Sequence, residues 1–251
     1  MSEKMRVALV TGSSGGIGSR VAARLGRTCG VVFGMEWATG TQEEVRAEVE
    51  AGGARFIPLH VDISNEHEVQ NAFEQVRREA GRLDVLVHLA GIATRSADGV
   101  VSSIETTTLD EWNRVLGINL TGTFLVNRAA IPLLKESNAG RVINTSSETA
   151  RNPVKSIGGH YPASKAGVIA FTKVLALELA PYQVTVNCIA PGLTATPMSQ
   201  GFDLTEYAKR VPLGRIGEPE DVAGLVEYLV SEQAKYITGT VIDVNGGKYM
   251  A

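Results

Sequence analysis

The chain has 251 residues, of which 44% are hydrophobic and 20% charged, so it can bury a large core and global disorder is excluded. Its net charge of −3 offers no electrostatic footprint for nucleic acid and no basic patch for a membrane surface. The two cysteines, Cys29 and Cys188, match neither a disulfide framework nor a zinc site. No signal peptide and no membrane helix of roughly 18 apolar residues is recognisable. We therefore expect a cytoplasmic protein without nucleic-acid or membrane partners.

Short apolar runs alternate with helical patterns along the whole chain. The runs are rich in β-branched residues and almost continuously apolar, which is typical of strands buried on both faces. Between them, Thr41 with Glu44 and Thr108 with Glu111 have capping-box spacing, and an i, i+3, i+4, i+7 apolar face starts at Val69. The predicted strands cover residues 7–10, 31–33, 56–61, 85–89, 142–143, 184–189 and 241–244.

Strands that alternate with helices imply parallel pairing through right-handed crossovers. We therefore predict an α/β fold: a doubly wound, mostly parallel seven-stranded sheet with helices on both faces. No linker or repeat divides the chain, so residues 1–251 are predicted to form a single domain. Polar segments at 93–108, 148–160 and 197–212 follow strands and should emerge at the carboxyl edge of the sheet, where ligands bind in such folds.

A glycine-rich turn, Thr-Gly-Ser-Ser-Gly-Gly-Ile-Gly at residues 11–18, follows the first strand and opens a helix. Gly12 permits a sharp turn, Gly16 lets the backbone approach a pyrophosphate, and Gly18 lets helix and strand pack closely. The helix N-terminus adds free N–H groups and a partial positive charge. Because the turn lies at the first strand–helix junction, nucleotide binding is favoured over a glycine-rich turn without a ligand.

Five ordered motifs run through the chain: the TGxxxGxG turn, Asn119 within Gly-Ile-Asn-Leu-Thr-Gly, Ser146-Ser147, Tyr161-Pro162-Ala163-Ser164-Lys165, and Pro191-Gly192. Together they closely resemble the short-chain dehydrogenase/reductase family over almost the whole chain. The resemblance implies a Rossmann-type fold, a nicotinamide dinucleotide and oxidoreductase activity. It also implies a homotetramer, built through helices at about 106–135 and 161–180.

Tyr161 and Lys165 are spaced i, i+4 and share one helix face. A lysine ammonium nearby would favour the phenolate of a tyrosine, whose ordinary pKa of about 10 is high for a base near neutrality. We predict Tyr161 as the general acid/base, with Lys165 also holding the nicotinamide ribose. The resemblance assigns Ser147 to the substrate oxygen and Asn119 to a water in a proton relay. Ser146 is the alternative serine, because Ser147 precedes Tyr161 by one residue more than is usual in the family.

The second predicted strand ends near Glu36, whose carboxylate can accept both hydroxyl hydrogens of an adenine ribose and would repel a 2′-phosphate. We therefore predict NAD as the cofactor; a solvated loop residue is the alternative. By resemblance, Asp62 meets the adenine amino group, although it could instead start a helix. The predicted cofactor-binding residues are Gly12, Ser14, Gly16, Ile17, Gly18, Glu36, Asp62, Ile63, Ala90, Gly91, Tyr161, Lys165, Pro191, Gly192, Thr194 and Thr196.

The fourth predicted strand ends in His88-Leu89-Ala90-Gly91, where the family usually has Asn-Asn-Ala-Gly. The change removes two amides that normally brace the strand end. We interpret His88 as a structural histidine, because the histidines of the chain show no metal-ligand spacing, and we predict no metal site.

The motifs resemble most strongly the 3-oxoacyl-carrier-protein reductases, which typically prefer NADPH and dock an acidic carrier through basic residues. Glu36 disfavours NADPH, and the matching docking positions are Asn138 and Tyr182, with Lys135 close by. We therefore predict hydride transfer between NAD(H) and a small or medium secondary alcohol or ketone. The alternative is an NADPH-dependent 3-oxoacyl-carrier-protein reductase, and a minor one is a non-catalytic NAD(H)-binding sensor or scaffold.

The predicted partner is a small-molecule substrate, covered by a lid at 197–212. Substrate contacts are assigned from loop placement alone. The candidates are Glu148, Asn152, His160 and Met198.

Overall fold

The structure is a computed structural model that describes residues 6–38, 42–93, 101–137 and 139–250. All seven predicted strands are present. They are β1 (Val7–Thr11), β2 (Val31–Glu36), β3 (Arg55–His60), β4 (Val85–His88), β5 (Arg141–Thr145), β6 (Thr185–Pro191) and β7 (Val241–Val244). Every pairing is parallel, in the order β3-β2-β1-β4-β5-β6-β7, so the predicted doubly wound, Rossmann-type sheet is confirmed.

The helices are α1 (Gly16–Thr28), α2 (Glu43–Ala51), α3 (Glu66–Ala80), α4 (Leu109–Leu116), α5 (Gly122–Lys135), α6 (His160–Leu179), α7 (Leu204–Ala208) and α8 (Pro219–Val230). A π-helical turn, Gly117–Thr121, joins α4 to α5. Side chains alternate across each strand, so Ala8 and Val10 pack with α1, α2 and α8, whereas Leu9 packs with α3, α5 and α6. Both faces are covered, which explains the continuous apolar runs.

The helix starts agree in part with the capping signals. Thr108 caps α4, because its hydroxyl accepts a hydrogen bond from Glu111 N at 3.1 Å. The predicted cap Thr41 lies outside the described residues, and α2 begins after Gln42, which makes no side-chain cap bond. Asn65 caps α3.

Within the described ranges, no helix is long and apolar enough to cross a membrane. Likewise, no three His, Cys, Asp or Glu side chains of the described residues are grouped to hold a metal ion. Cys29 and Cys188 are both buried, and neither forms a disulfide.

Candidate active site

The glycine-rich turn brings distant motifs into contact at the carboxyl edge of the sheet. Gly12 has φ +67°, and a Cβ there would lie 3.1 Å from Ala90 Cα. A Cβ on Gly18 would lie 1.9 Å from the Gly12 carbonyl oxygen, so helix and strand pack as closely as predicted. A Cβ on Gly16 would lie 2.7 Å from the Thr196 methyl carbon. The turn therefore lies directly against the segments after β4 and β6, and it leaves the open helix N-terminus that a pyrophosphate needs.

Glu36 closes β2 and is held against that turn. One carboxylate oxygen, Oε2, accepts hydrogen bonds from Ser14 Oγ at 2.6 Å and Ser14 N at 3.2 Å. The other, Oε1, accepts from Trp37 N at 3.1 Å. Glu36 is half-buried, so it is an anchored carboxylate rather than a solvated loop residue. Its position beside the turn fits the ribose end of a dinucleotide.

Asp62 and Ile63 follow β3 at the same edge of the sheet. Asp62 Oδ1 accepts from Ser64 N at 2.9 Å and from Ser64 Oγ at 2.7 Å, so Asp62 stabilises a turn while Asn65 caps the helix. Ile63 is buried, and a Cβ on Gly122 would lie 3.0 Å from it. The adenine contact of Asp62 stays a prediction.

Thr11, a residue that sequence reasoning missed, braces the unusual end of β4. Its Oγ1 accepts from Leu89 N and Ala90 N, at 3.1 Å each, and lies 2.9 Å from His88 Nδ1. Burial lowers the pKa of His88 to about 3, so the ring is neutral. Because Thr11 Oγ1 already accepts two N–H donors, we assign its own proton to the hydrogen bond with His88 Nδ1. The Thr11–His88 pair therefore provides the bracing that the missing asparagine amides would otherwise give.

Tyr161, Ser147 and Lys165 converge at the start of α6. Tyr161 is buried, and the nearby Ser147 side chain, whose Oγ accepts from Thr149 N at 3.2 Å and from Thr149 Oγ1 at 3.0 Å, lowers the tyrosine pKa. Lys165 Nζ donates to the Thr145 carbonyl oxygen at 3.0 Å and lies 5.9 Å from the centroid of the Tyr161 ring. Ser146 Oγ instead donates to the Lys165 carbonyl oxygen at 2.8 Å. The geometry thus favours Ser147 over Ser146 as the serine beside the tyrosine.

Burial dominates the proton affinities of this group. It raises the pKa of Tyr161, and the Ser147 side chain offsets only part of the rise. It lowers the pKa of Lys165 to about 8. The lowering of the tyrosine pKa by the Lys165 ammonium stays a prediction, since burial is the largest cause acting on Tyr161 in this structure. Tyr161 therefore holds its proton near neutral pH, ready to donate it to a carbonyl oxygen.

Asn119 lies in the π-helical turn, and its side chain is committed to protein partners. Nδ2 donates to the Ile92 carbonyl oxygen at 2.9 Å and to Ser164 Oγ at 3.1 Å, and Oδ1 accepts from Ile92 N at 2.8 Å. A Cβ on Gly91 would lie 3.1 Å from both Asn119 Oδ1 and Lys165 Nζ. Asn119 thus ties the segment after β4 to the helix that carries Tyr161; its role in a proton relay stays a prediction.

A buried amide network below the site was also missed from the sequence. Asn127 Nδ2 donates to Asn144 Oδ1 at 2.9 Å, and Asn144 Nδ2 donates to Thr172 Oγ1 at 3.2 Å. The network joins α5, β5 and α6. The available signal was an asparagine interrupting the apolar run of a central strand, since a buried amide needs partners.

After β6, the segment predicted to reach the nicotinamide is held by its own turn contacts. Thr194 is buried, and its hydroxyl donates to the Gly192 carbonyl oxygen at 3.1 Å. Thr196 caps the short helix Pro197–Ser199, with which the predicted lid begins.

The four candidate substrate residues have different surroundings. Glu148 is buried, and its Oε1 accepts from Tyr207 Oη at 2.6 Å and from Lys248 Nζ at 2.9 Å. His160 is buried with Nε2 3.7 Å from Glu111 Oε1. Asn152 is half-buried on its loop, and Met198 is 50% exposed. Oε1 of Glu148 is thus engaged within the protein, whereas Oε2 is buried and has no hydrogen-bond partner among the described residues. All four substrate assignments stay predictions.

The surfaces predicted for partners are only partly described. Asn138 lies outside the described residues. Tyr182 is exposed, and Lys135 Nζ lies 4.2 Å from its ring centroid, which places a cation at this surface. Phe124, Val174 and Leu177 are exposed on α5 and α6, the helices predicted to form a subunit interface.

Comparison with known proteins gives a consistent family. A family model described as "Enoyl-(Acyl carrier protein) reductase" matches residues 12–248. The chain is 38% identical over 249 residues to a 3-oxoacyl-(acyl-carrier-protein) reductase of Synechocystis sp., covering 98% of this chain and 97% of the relative. It is also 38% identical over 250 residues to the corresponding reductase FabG of Aquifex aeolicus, covering 97% of each chain.

Solved structures agree with these relatives. A 3-oxoacyl-(acyl-carrier-protein) reductase with bound NAD from Brucella melitensis matches with a TM-score of 0.90 and 35% identity, covering 100% of this chain and 93% of that one. A short-chain type dehydrogenase/reductase from Mycobacterium marinum matches with a TM-score of 0.92 and 30% identity, covering 100% and 98%. With the glycine-rich turn and the Ser147–Tyr161–Lys165 group, these matches establish that the chain belongs to the short-chain dehydrogenase/reductase family and is an oxidoreductase.

Proposed function

We propose that this oxidoreductase reduces the ketone of a 3-oxoacyl thioester with NADH, and oxidises the corresponding 3-hydroxyacyl thioester in reverse. The observation that carries the proposal is the grouping of buried Tyr161 with Ser147 and with Lys165, whose Nζ lies 5.9 Å from the Tyr161 ring centroid on the same helix. The names of the relatives support the 3-oxoacyl substrate. The relatives thus favour the 3-oxoacyl substrate of the alternative over the small or medium secondary alcohol or ketone that the sequence analysis predicted first.

The residues divide the chemistry between them. When bound, the nicotinamide supplies or accepts the hydride. Tyr161 donates its proton to the ketone oxygen in reduction and takes it back from the alcohol in oxidation. Ser147 donates a hydrogen bond to the same oxygen, which stabilises the negative charge that develops there. The positive charge of Lys165 favours the phenolate that Tyr161 becomes when it gives up its proton, and its side chain holds the nicotinamide ribose. Asn119 takes part in the proton relay.

Glu36 supports NAD(H) over NADP(H). Its carboxylate is held beside the glycine-rich turn by Ser14, where a 2′-phosphate would meet a negative charge. The remaining cofactor contacts are proposed for the residues predicted above, from Gly12 to Thr196. A relative from Brucella melitensis was solved with bound NAD, so the 3-oxoacyl reductases among the relatives include NAD binders.

A second candidate is an NAD-dependent dehydrogenase of another small secondary alcohol. The favouring observation is Tyr182, an exposed uncharged side chain at a position where the resemblance to carrier-protein reductases predicts a basic docking residue. Lys135 over the Tyr182 ring supplies only one cation near that surface. We propose a homotetramer for either function, built on the exposed apolar residues of α5 and α6.

The test is steady-state reduction of acetoacetyl thioesters, carried by coenzyme A and by an acyl-carrier protein, with NADH and with NADPH. We expect turnover with NADH at least tenfold more efficient than with NADPH, and a reversed preference in Glu36→Arg. Tyr161→Phe should abolish turnover while NADH still binds. Activity only with simple secondary alcohols would favour the second candidate, and NADH binding without any turnover would favour the sensor or scaffold.

A further inference from the structure

Tyr207 is the residue of the short helix α7 that reaches deepest into the protein. Its neighbours Leu204, Thr205 and Glu206 are exposed, whereas Tyr207 is half-buried. Its hydroxyl donates to Glu148 Oε1 at 2.6 Å and accepts from Leu193 N at 3.1 Å. One hydroxyl thus joins the predicted lid to the segments after β5 and β6.

Both partners of this hydroxyl adjoin residues of the proposed reaction. Glu148 follows Ser147 directly, and Leu193 precedes Thr194, which is proposed to meet the nicotinamide carboxamide. The Tyr207 hydroxyl therefore bonds to the immediate chain neighbours of Ser147 and Thr194. A shift of α7 away from the sheet edge would break both hydrogen bonds together.

Glu148 is held from a second side by the C-terminal segment. Lys248 Nζ lies 2.9 Å from Glu148 Oε1 and 4.7 Å from the centroid of the Tyr207 ring. The side chains of Lys248 and Glu148 are 11% and 4% exposed, so their ion pair is largely shielded from water. Arg151 also pairs with Asp243. The loop that carries Ser147 is thus anchored to β7 through Arg151 and to the C-terminal segment through Glu148.

The far end of the lid is also fixed. Val211 is buried, and a Cβ on Gly246 would lie 2.5 Å from its Cγ1. Leu213 N donates to the Gly246 carbonyl oxygen at 3.2 Å. Between Pro197–Ser199 and Val211, Tyr207 makes two long-range hydrogen bonds, to Glu148 and to Leu193. These two bonds hold the middle of the lid against the sheet edge.

We propose that Tyr207 is a positioning residue that latches the lid closed over substrate and cofactor, with Glu148 as its acceptor and Lys248 as the anchor of that acceptor. The inference rests on the proposed function for its kinetic consequences. Because Lys248 keeps Glu148 in place, loss of the Tyr207 hydroxyl releases the lid and leaves Ser147, Tyr161 and Lys165 undisturbed. The latch therefore acts on retention of ligands rather than on proton transfer.

The test compares Tyr207→Phe with wild type and with Tyr228→Phe, a matched control in which an exposed tyrosine of α8 loses its hydroxyl. In Tyr207→Phe we expect the KM for acetoacetyl-coenzyme A to rise at least fivefold, with kcat changed less than twofold. Limited trypsin cleavage after Lys209 and Arg210, which are exposed in the lid, should be at least threefold faster. Mass spectrometry of the fragments identifies the cleaved bonds.

Glu148→Gln is the second variant, because it keeps an acceptor oxygen for Tyr207 and Lys248 and removes the negative charge that strengthens both hydrogen bonds. It should change KM and trypsin cleavage in the same direction by a smaller factor. Wild-type KM and cleavage rates in both variants would overturn the latch, as would a tenfold fall in kcat at unchanged KM. The trypsin experiment needs no turnover, so it tests the latch even if no thioester is reduced.

Discussion

His88 should lower the free energy of unfolding as the pH falls, and His88→Asn should remove this part of the pH dependence. Burial lowers the pKa of His88 from 6.5 to about 3. Between these two pH values the His88 ring is protonated in the unfolded chain and neutral in the folded protein. Below pH 6.5 the unfolded state binds more protons, so stability falls as pH falls towards 3. At pH 5.0 this linkage removes about 2 kcal/mol relative to pH 7.5.

The assay is urea unfolding followed by tryptophan fluorescence at pH 7.5 and 5.0, at one protein concentration. Other groups titrate over the same interval, so the quantity that matters is the difference in pH dependence between wild type and His88→Asn. We expect wild type to lose about 2 kcal/mol more than the variant. His67→Asn is the matched control, because His67 is exposed on α3, and it should behave as wild type does. Equal pH dependence in His88→Asn and wild type would refute the reasoning.

The serine assignment and the role of Lys165 make two further predictions. Ser147→Ala should lower kcat for ketone reduction by roughly 100-fold or more, whereas Ser146→Ala should change it by less than tenfold and cost about 1 kcal/mol of stability. Steady-state kinetics and urea unfolding check both; equal kcat losses would contradict the geometry. Because burial places the pKa of Lys165 at about 8, kcat/KM for reduction should fall as pH rises above 8 and the ammonium loses its proton. A pH–rate profile that stays flat to pH 10 would contradict this.

The relatives strengthen the 3-oxoacyl interpretation over the broader alcohol dehydrogenase that the sequence favoured. In the sequence, the cofactor preference and the docking surface each spoke against a carrier substrate. They are separable, since Glu36 bears on the adenine ribose and Tyr182 bears on a surface far along the chain. An NADH-dependent 3-oxoacyl reductase is consistent both with the Glu36 carboxylate beside the glycine-rich turn and with the names of the relatives.

Local sequence determined the layered fold and the main chemical groups of this protein. The central strands β1, β4, β5 and β6 are buried along their whole length and are therefore nearly continuously apolar. Short apolar runs in the sequence made all seven strands recognisable. Tyr161 and Lys165 share a helix face because their spacing of four matches the helical period. The glycine-rich turn was recognisable because backbone sterics at Gly12 and Gly18 leave few alternatives.

Tertiary structure alone decided which side chains meet across long stretches of chain. Ser146 and Ser147 are neighbours in sequence. Only the packing of α6 on β5 places the Ser146 hydroxyl against the Lys165 carbonyl oxygen and the Ser147 side chain near Tyr161. The bond between Thr11 and His88 spans 77 residues, and the ion pair between Glu148 and Lys248 spans 100. Periodicity reports only whether a residue faces the core. The partner that satisfies a buried polar group depends on how distant strands and helices pack, and no local pattern encodes that.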